Sequence, residues 1–275
     1  MDVTESTDES YLIRYPPWDK FVHSGPNGKP VDPARIEAAA NTKNLVQTAA
    51  SMLSAQGIVI IKDVLGASDI AAFLHASEPL LKRVESSNGV HGDVVRWDDC
   101  TVIKHTAERA DVWPLSPAIA DPLTTKVDPV VLPVLRAYLA TGVVRKTAGL
   151  LVTASGCKAP GKWHRDAAPL LRSAGDAYAD AHLVRHTFPF YATVFVPLTE
   201  QTTETGATEY VPRSNNMMHN EVATAESAPL VCSPGDIVVL AGTTVHRGSA
   251  NPSVNDARVM PYVVYCAPWY NEHDF

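Results

Sequence analysis

The sequence predicts a mainly β chain with flanking helices: one β-barrel of jelly-roll type, with helices from its N-terminal part packed outside. Two observations carry this. After residue 146 the apolar residues come in short runs divided by Gly, Pro and polar turn residues, the pattern of a sandwich or barrel. Before it they recur at helical spacing behind proline-bearing caps. The 275 residues suffice for one large core. The chain reads as a single domain with an arm over 1–32, a mainly helical support over 33–146 and a β core over 147–268.

In chain order, the Pro- and aromatic-rich stretch 11–31 excludes a regular helix or a central strand and reads as an arm packed across the core. Asp32-Pro33 supplies a cap and a first helical position. Ile36, Ala39, Ala40, Leu45, Val46, Ala49, Met52 and Leu53 then continue at helical spacing to a stop at Gly57, which predicts a helix over about 33–55. Ile58–Ile61, β-branched and bounded by Gly57 and Asp63, reads as a buried strand. A second helix starts at Ser68-Asp69 and carries Ile70, Phe73, Leu74, Leu80, Leu81 and Val84. Residues 86–125, polar and dotted with Gly, Trp and Pro, read as a long irregular region, and Asp128-Pro129 opens a third helix. The strands follow: Leu150–Val152, Tyr191–Val196, Thr208–Val211, Ile237–Leu240 and Val259–Tyr265.

Composition narrows the function. The net charge of −7, without a basic run or stripe, argues against nucleic-acid and anionic-membrane partners. No apolar stretch approaches the roughly 20 residues that span a bilayer. The start MDVTESTDES has no basic or apolar leader pattern, so a cytoplasmic protein is the expectation. Cys100, Cys157, Cys232 and Cys266 form no C-x-x-C pair and read as buried small hydrophobes in a reducing compartment. A small-molecule substrate and a homodimer are the default partners.

The chemistry centres on Lys162-Trp163-His164-Arg165-Asp166. On a strand, His164 and Asp166 share a face. With a distal histidine they would complete the two-histidine, one-carboxylate set that holds ferrous iron and leaves positions open for a co-substrate and dioxygen. H-x-D alone is weak, and the chain has a second copy, His91-Gly92-Asp93. Context chooses between them. His246 follows Pro234-Gly235-Asp236 and a strand, and Arg258 heads the final strand. A guanidinium pointing into a barrel needs an anion, and the distal carboxylate of 2-oxoglutarate would pair with it. His91 has no comparable sequel. Trp97 and Trp113 either line an apolar pocket or close the core.

Trp163–Asp166, the run Val196–Thr199, the segment Gly206–Ser214, Pro234-Gly235-Asp236, His246 and Arg258 together resemble the phytanoyl-CoA dioxygenase-like family of iron(II)/2-oxoglutarate oxygenases, the natural-product enzymes in particular. The resemblance covers about 145–268. It implies a double-stranded β-helix, iron on His164, Asp166 and His246, Arg258 on the 2-oxoglutarate C5 carboxylate, and Thr208 assisting it. Dioxygen is then the oxidant, and hydroxylation, desaturation, epoxidation or rearrangement the outcome. Related halogenases lack the carboxylate that Asp166 supplies. Arg172, Arg185 and His186 fall where family members border the substrate pocket and read either as contacts to a substrate carboxylate or phosphate or as solvated loop charges, and Trp97 joins them as a candidate contact. Two departures stand out. Gly161-Lys162 replaces a usual glutamine, with Lys162 as a candidate substitute donor, and Pro212-Arg213-Ser214-Asn215 replaces P-G-S-H. The rival reading is a catalytically silent jelly-roll module or heterodimer subunit.

Overall fold

The computed structural model describes residues 36–40, 44–86, 92–167, 188–217 and 219–271. The arm over 1–32, the Asp32-Pro33 cap, His91, Arg172, Arg185 and His186 lie outside them.

Two sheets face each other in a jelly roll. The strands, in chain order, are β1 (Glu37–Ala39), β2 (Ile58–Lys62), β3 (Val94–Arg96), β4 (Thr101–Thr106), β5 (Arg109–Trp113), β6 (Val144–Thr153), β7 (Tyr191–Phe195), β8 (Glu209–Tyr210), β9 (Ala228–Pro229), β10 (Ile237–Ala241), β11 (His246–Arg247) and β12 (Arg258–Cys266). The large sheet runs β1-β2-β10-β7-β12-β6-β5-β4-β3, and the small one β11-β8-β9. The long helices among the described residues are α1 (Leu45–Gln56), α2 (Ala67–Ser86) and α3 (Pro117–Leu139), with a single turn at His219–Val222.

Period-two alternation explains how this sheet serves two masters. On one face Val59, Ile61, Ala110, Val112, Leu150, Val152, Val194, Val239 and Val263 pack with Leu53, Phe73, Leu80, Leu123, Val127 and Leu135 of the three helices. Tyr265 reaches from this face of β12 to donate its hydroxyl to Asp128 on α3. On the other face Ile58, Ile60, Phe195, Val238, Leu240 and Met260 pack with Tyr210 and Ala228 of the small sheet. Helices therefore lie outside and the inner face is left for a site.

Three expectations need correction. The helix expected over 33–55 begins only at Leu45. Glu37–Ala39 is instead a strand pairing parallel with β2, Glu37 opposite Ile60. Edge pairing with β2 overrides the helical preference of an alanine tract. Residues 86–125, expected to be irregular, contain β3, β4 and β5, an antiparallel run that extends the large sheet from β6. They read as loop because the region is polar and dotted with Gly, Trp and Pro, yet some of that polarity is buried: Lys104 is buried with its Nζ donating to the Val84 carbonyl at 2.8 Å. The third helix opens at Pro117 behind Ser116, ahead of Asp128-Pro129. Internal prolines disguise its length, but its first proline sits where the missing N–H is not needed.

The other elements agree with expectation. The β2, β7, β8, β10 and β12 strands fall where the apolar runs place them, α2 begins within a residue of Ser68, and all four cysteines are buried and free. Among the described residues no helix is long and apolar enough to cross a membrane.

Candidate metal centre

His164 and His246 meet as a cross-strand pair, each donating its backbone N–H to the other's carbonyl at 3.0 Å. Two local devices bring His246 there. The Asp236 carboxylate of the Pro-Gly-Asp turn accepts from Lys62 Nζ at 2.6 Å and from the Asp63 and Ser233 N–H groups, fixing the start of β10. The Ser214 hydroxyl accepts from Val245 N–H at 2.8 Å, one residue before the ligand. The Pro212–Asn215 departure is thus a turn docked on α1, with Asn215 Nδ2 donating to the Ser54 carbonyl.

Ligand atoms of His164, Asp166 and His246 lie within 4.8 Å of one another. Each imidazole has Nδ1 against a backbone carbonyl two residues earlier, His164 on Lys162 at 2.9 Å and His246 on Thr244 at 3.1 Å. A carbonyl only accepts, so each Nδ1 carries the proton and each Nε2 keeps its lone pair. Those Nε2 atoms stand 3.6 and 3.4 Å from Asp166 Oδ1, too far for good hydrogen bonds but suited to sharing one ion about 2 Å from each. The Thr193 hydroxyl donates to Asp166 Oδ2, which orients the carboxylate. Burial first, then the neighbouring His246, lowers the His164 pKa to about 4, with Asp166 opposing. Its side chain is 44% exposed, yet the second ring, 4.3 Å away on the protein side, repels a charge there. A neutral two-imidazole, one-carboxylate set fits a divalent iron.

Behind the pair, Arg247 and Trp163, neighbours of the two histidines, stack at 4.5 Å. Arg247 Nε and Nη2 donate to Glu209 Oε2 at 3.0 and 2.8 Å, and Ser249 donates to Oε1 at 2.9 Å. This buried clamp ties β11 to β8 and to the His164 segment.

Arg258 is 5% exposed on the inner face, and its Nη2 donates to the Thr153 hydroxyl at 3.1 Å. A second buried guanidinium, that of Arg109, reaches the same hydroxyl through Nε at 3.4 Å, and its Nη2 donates to the Ser249 carbonyl. Each keeps a buried Nη1 with no hydrogen-bond partner among the described residues. Burial first, then Arg109, lowers the Arg258 pKa to about 9, and burial also lowers that of Arg109. Two buried guanidiniums side by side, each with an unpartnered Nη1 among the described residues, suit an anion.

Arg109 was not legible as a site residue, although R-A-D-V-W alternates polar with apolar as a strand would. It also bears on the Gly161 departure: a Cβ at Gly161 would come within 2.9 Å of Arg109 Nη1. Lys162, the expected substitute donor, is exposed, and its contribution is the carbonyl that holds His164. Thr208 is buried beside Glu209, with its carbonyl accepting from Leu230 N–H. Trp97 is 43% exposed and lies under the Arg83 guanidinium, away from the ligand set. Trp113 projects inward, its indole N–H donating to Thr147.

Comparisons agree with this geometry. The sequence matches the family described as Phytanoyl-CoA dioxygenase (PhyH) over residues 53–259. No curated protein sequence matches. Among solved structures, AviO1 from Streptomyces viridochromogenes Tue57 is 20% identical with a TM-score of 0.61, covering 85% of this chain and 100% of that one. The epimerase SnoN from nogalamycin biosynthesis, in complex with Fe3+, alpha ketoglutarate and nogalamycin RO, is 17% identical with a TM-score of 0.57, covering 81% and 83%. The non-heme alpha ketoglutarate dependent carbocyclase SnoK is 18% identical with a TM-score of 0.56, covering 84% and 87%. The shared fold is the double-stranded β-helix.

Proposed function

The chain belongs to the phytanoyl-CoA dioxygenase (PhyH) family, whose match spans about three quarters of it, and on that premise we propose an iron(II)- and 2-oxoglutarate-dependent oxygenase acting on a small organic molecule of natural-product type. The observation that carries the reading is the inner face itself. It bears a convergent set of two imidazoles and one carboxylate and two buried guanidiniums whose Nη1 atoms lack a partner among the described residues. Iron(II) with 2-oxoglutarate supplies dioxygen activation, coupling decarboxylation to succinate with a two-electron oxidation of the substrate.

The chain's own residues hold and orient. His164 and His246 offer Nε2 because their Nδ1 protons are engaged by carbonyls, and Asp166 offers Oδ1 because Thr193 holds Oδ2. Arg258 and Arg109 receive the distal carboxylate of 2-oxoglutarate, with Thr208 retained as a supporting contact. Lys162 is not retained. Arg109 takes the place left by the glutamine that Gly161-Lys162 lacks, so the feature favouring a silent module loses its force. With Asp166 in place of a small residue, oxygenation, desaturation or rearrangement is favoured over halogenation. Structural relatives named as an epimerase and a carbocyclase keep rearrangement among the outcomes.

The test is anaerobic addition of iron(II) and then 2-oxoglutarate, watching the visible charge-transfer band of the chelate. Folded protein that develops no band overturns the proposal.

A further inference from the structure

Most residues of the central strands of the large sheet are buried, but several inner-facing ones are open to solvent. Tyr262 is the only position of β12 that is not fully buried. Asp111 and Trp113 on β5, and Thr147 and Leu151 on β6, are partly accessible as well. Asp111 is registered opposite Leu151, and Tyr262 opposite Gly149. These residues share the inner face of the sheet with Thr193, whose hydroxyl donates to Asp166. The Tyr262 ring lies 6.5 Å from that of Phe195, which in turn lies 6.3 Å from His246.

Gly149 makes the arrangement possible, because a Cβ there would stand 2.4 Å from Tyr262 Cζ. The tyrosine therefore lies flat over β6, and its hydroxyl meets both carboxylate oxygens of Asp111 at 3.2 and 3.1 Å. One hydroxyl has one proton, whereas a carboxylate offers about four acceptor positions. Asp111 is partly accessible, and the Tyr262 hydroxyl uses only a small part of its accepting capacity. Arg109, two residues along the same strand face, directs its guanidinium to Thr153 and Ser249 instead. Burial raises the Asp111 pKa to about 7, with the Tyr262 hydrogen bond opposing and the Asp166 charge adding. A cation placed there would relieve both the desolvation and the repulsion.

We propose that Asp111, presented by Tyr262, anchors the substrate, and that the substrate carries a protonated amine on an apolar body. Leu151 and Trp113 would receive the apolar part, and the anchor would determine which carbon faces the metal centre. This inference rests on the oxygenase reading and narrows it to a substrate class.

The experiment uses anaerobic protein loaded with iron(II), 2-oxoglutarate and nitric oxide, with the electron paramagnetic resonance of the iron nitrosyl reporting pocket occupancy. The probes share one apolar body: phenethylamine, phenethyl alcohol and hydrocinnamate. A charge-assisted hydrogen bond favours the amine by about tenfold or more over the alcohol, and the carboxylate is excluded. Asp111→Asn keeps an accepting oxygen without the charge, so it erases the amine preference while alcohol binding persists. Tyr262→Phe leaves the carboxylate in place and retains the preference. Equal response to all three probes, or none to the amine, overturns the proposal. So does an amine preference that survives Asp111→Asn, as direct ligation of the amine to iron would. Failure of the chelate band in wild-type protein sinks the oxygenase reading itself, whereas a normal band without amine preference sinks only this inference.

Discussion

His164 and His246 are joined by two backbone hydrogen bonds of 3.0 Å, so the placement of both imidazoles is set by main-chain pairing, independent of their side chains. His246→Ala should therefore preserve the fold. The expected outcome is an unchanged far-ultraviolet spectrum and metal-free thermal midpoint, with manganese(II) affinity, read by titration, lowered at least about 100-fold, beyond the effect of losing an outer partner. A variant that binds manganese normally would remove His246 from the ligand set.

Arg258 and Arg109 repel one another across Thr153 and lack an anion among the described residues. Replacing one by an apolar residue of similar length relieves that repulsion, as for other buried charges. Arg258→Met and Arg109→Met should each match or exceed wild-type stability without 2-oxoglutarate. Each should also lose most of the stabilisation that 2-oxoglutarate gives the iron-loaded protein, with affinity falling about 100-fold through loss of a charge-assisted pair. Thermal unfolding with and without the co-substrate decides this. An undiminished shift in Arg109→Met would reduce Arg109 to a structural role.

Glu209 and Arg247 are both almost fully buried, and Ser249 completes their network. Glu209→Ala strands the guanidinium, and a loss of about 3–5 kcal/mol in denaturant unfolding is expected. A loss below about 1 kcal/mol would mean that the Trp163 contact alone supports Arg247.

Asp111 gives stability a distinctive pH dependence. Its folded pKa of about 7 lies above the ordinary carboxylate value near 4. Between those values the folded state binds more protons than the unfolded one, so this group's contribution is present below about pH 4 and is lost as pH rises to about 7. Asp111→Asn, which does not titrate, should gain on wild type across that window. Denaturant midpoints of the metal-free proteins near pH 4 and near pH 8 test it. A constant difference between the two proteins would refute the raised pKa.

The apolar strands after residue 146 were legible because each alternates or is β-branched and is bounded by turn residues. His164, Asp166, His246 and Arg258 were legible as an ordered set, their weak individual signals reinforced by the strands that carry them. What stayed hidden shares a physical cause. Strand β5 turns Arg109 and Asp111 to the inner face, and its five-residue alternation was masked by a surrounding region that is polar and dotted with Gly, Trp and Pro. Strand β1 has a helix-favouring sequence and is held as a strand by its pairing with β2. Arg109 could have been suspected from the apolar pair Ala110 and Val112 interleaved with charge.

The shared Thr153 hydroxyl also redraws the boundary of the minimal module. A fragment starting at Val144 would contain every metal ligand, Arg258 and the whole small sheet. It would lack Arg109 and Asp111 and would leave β6 as a raw edge, since β5 is its neighbour. Recombination between relatives at the helical-to-β transition would exchange half of the anion grip and the Asp111 side of the pocket along with the helices. The productive crossover point lies upstream of Val94, before the hairpins that complete the sheet.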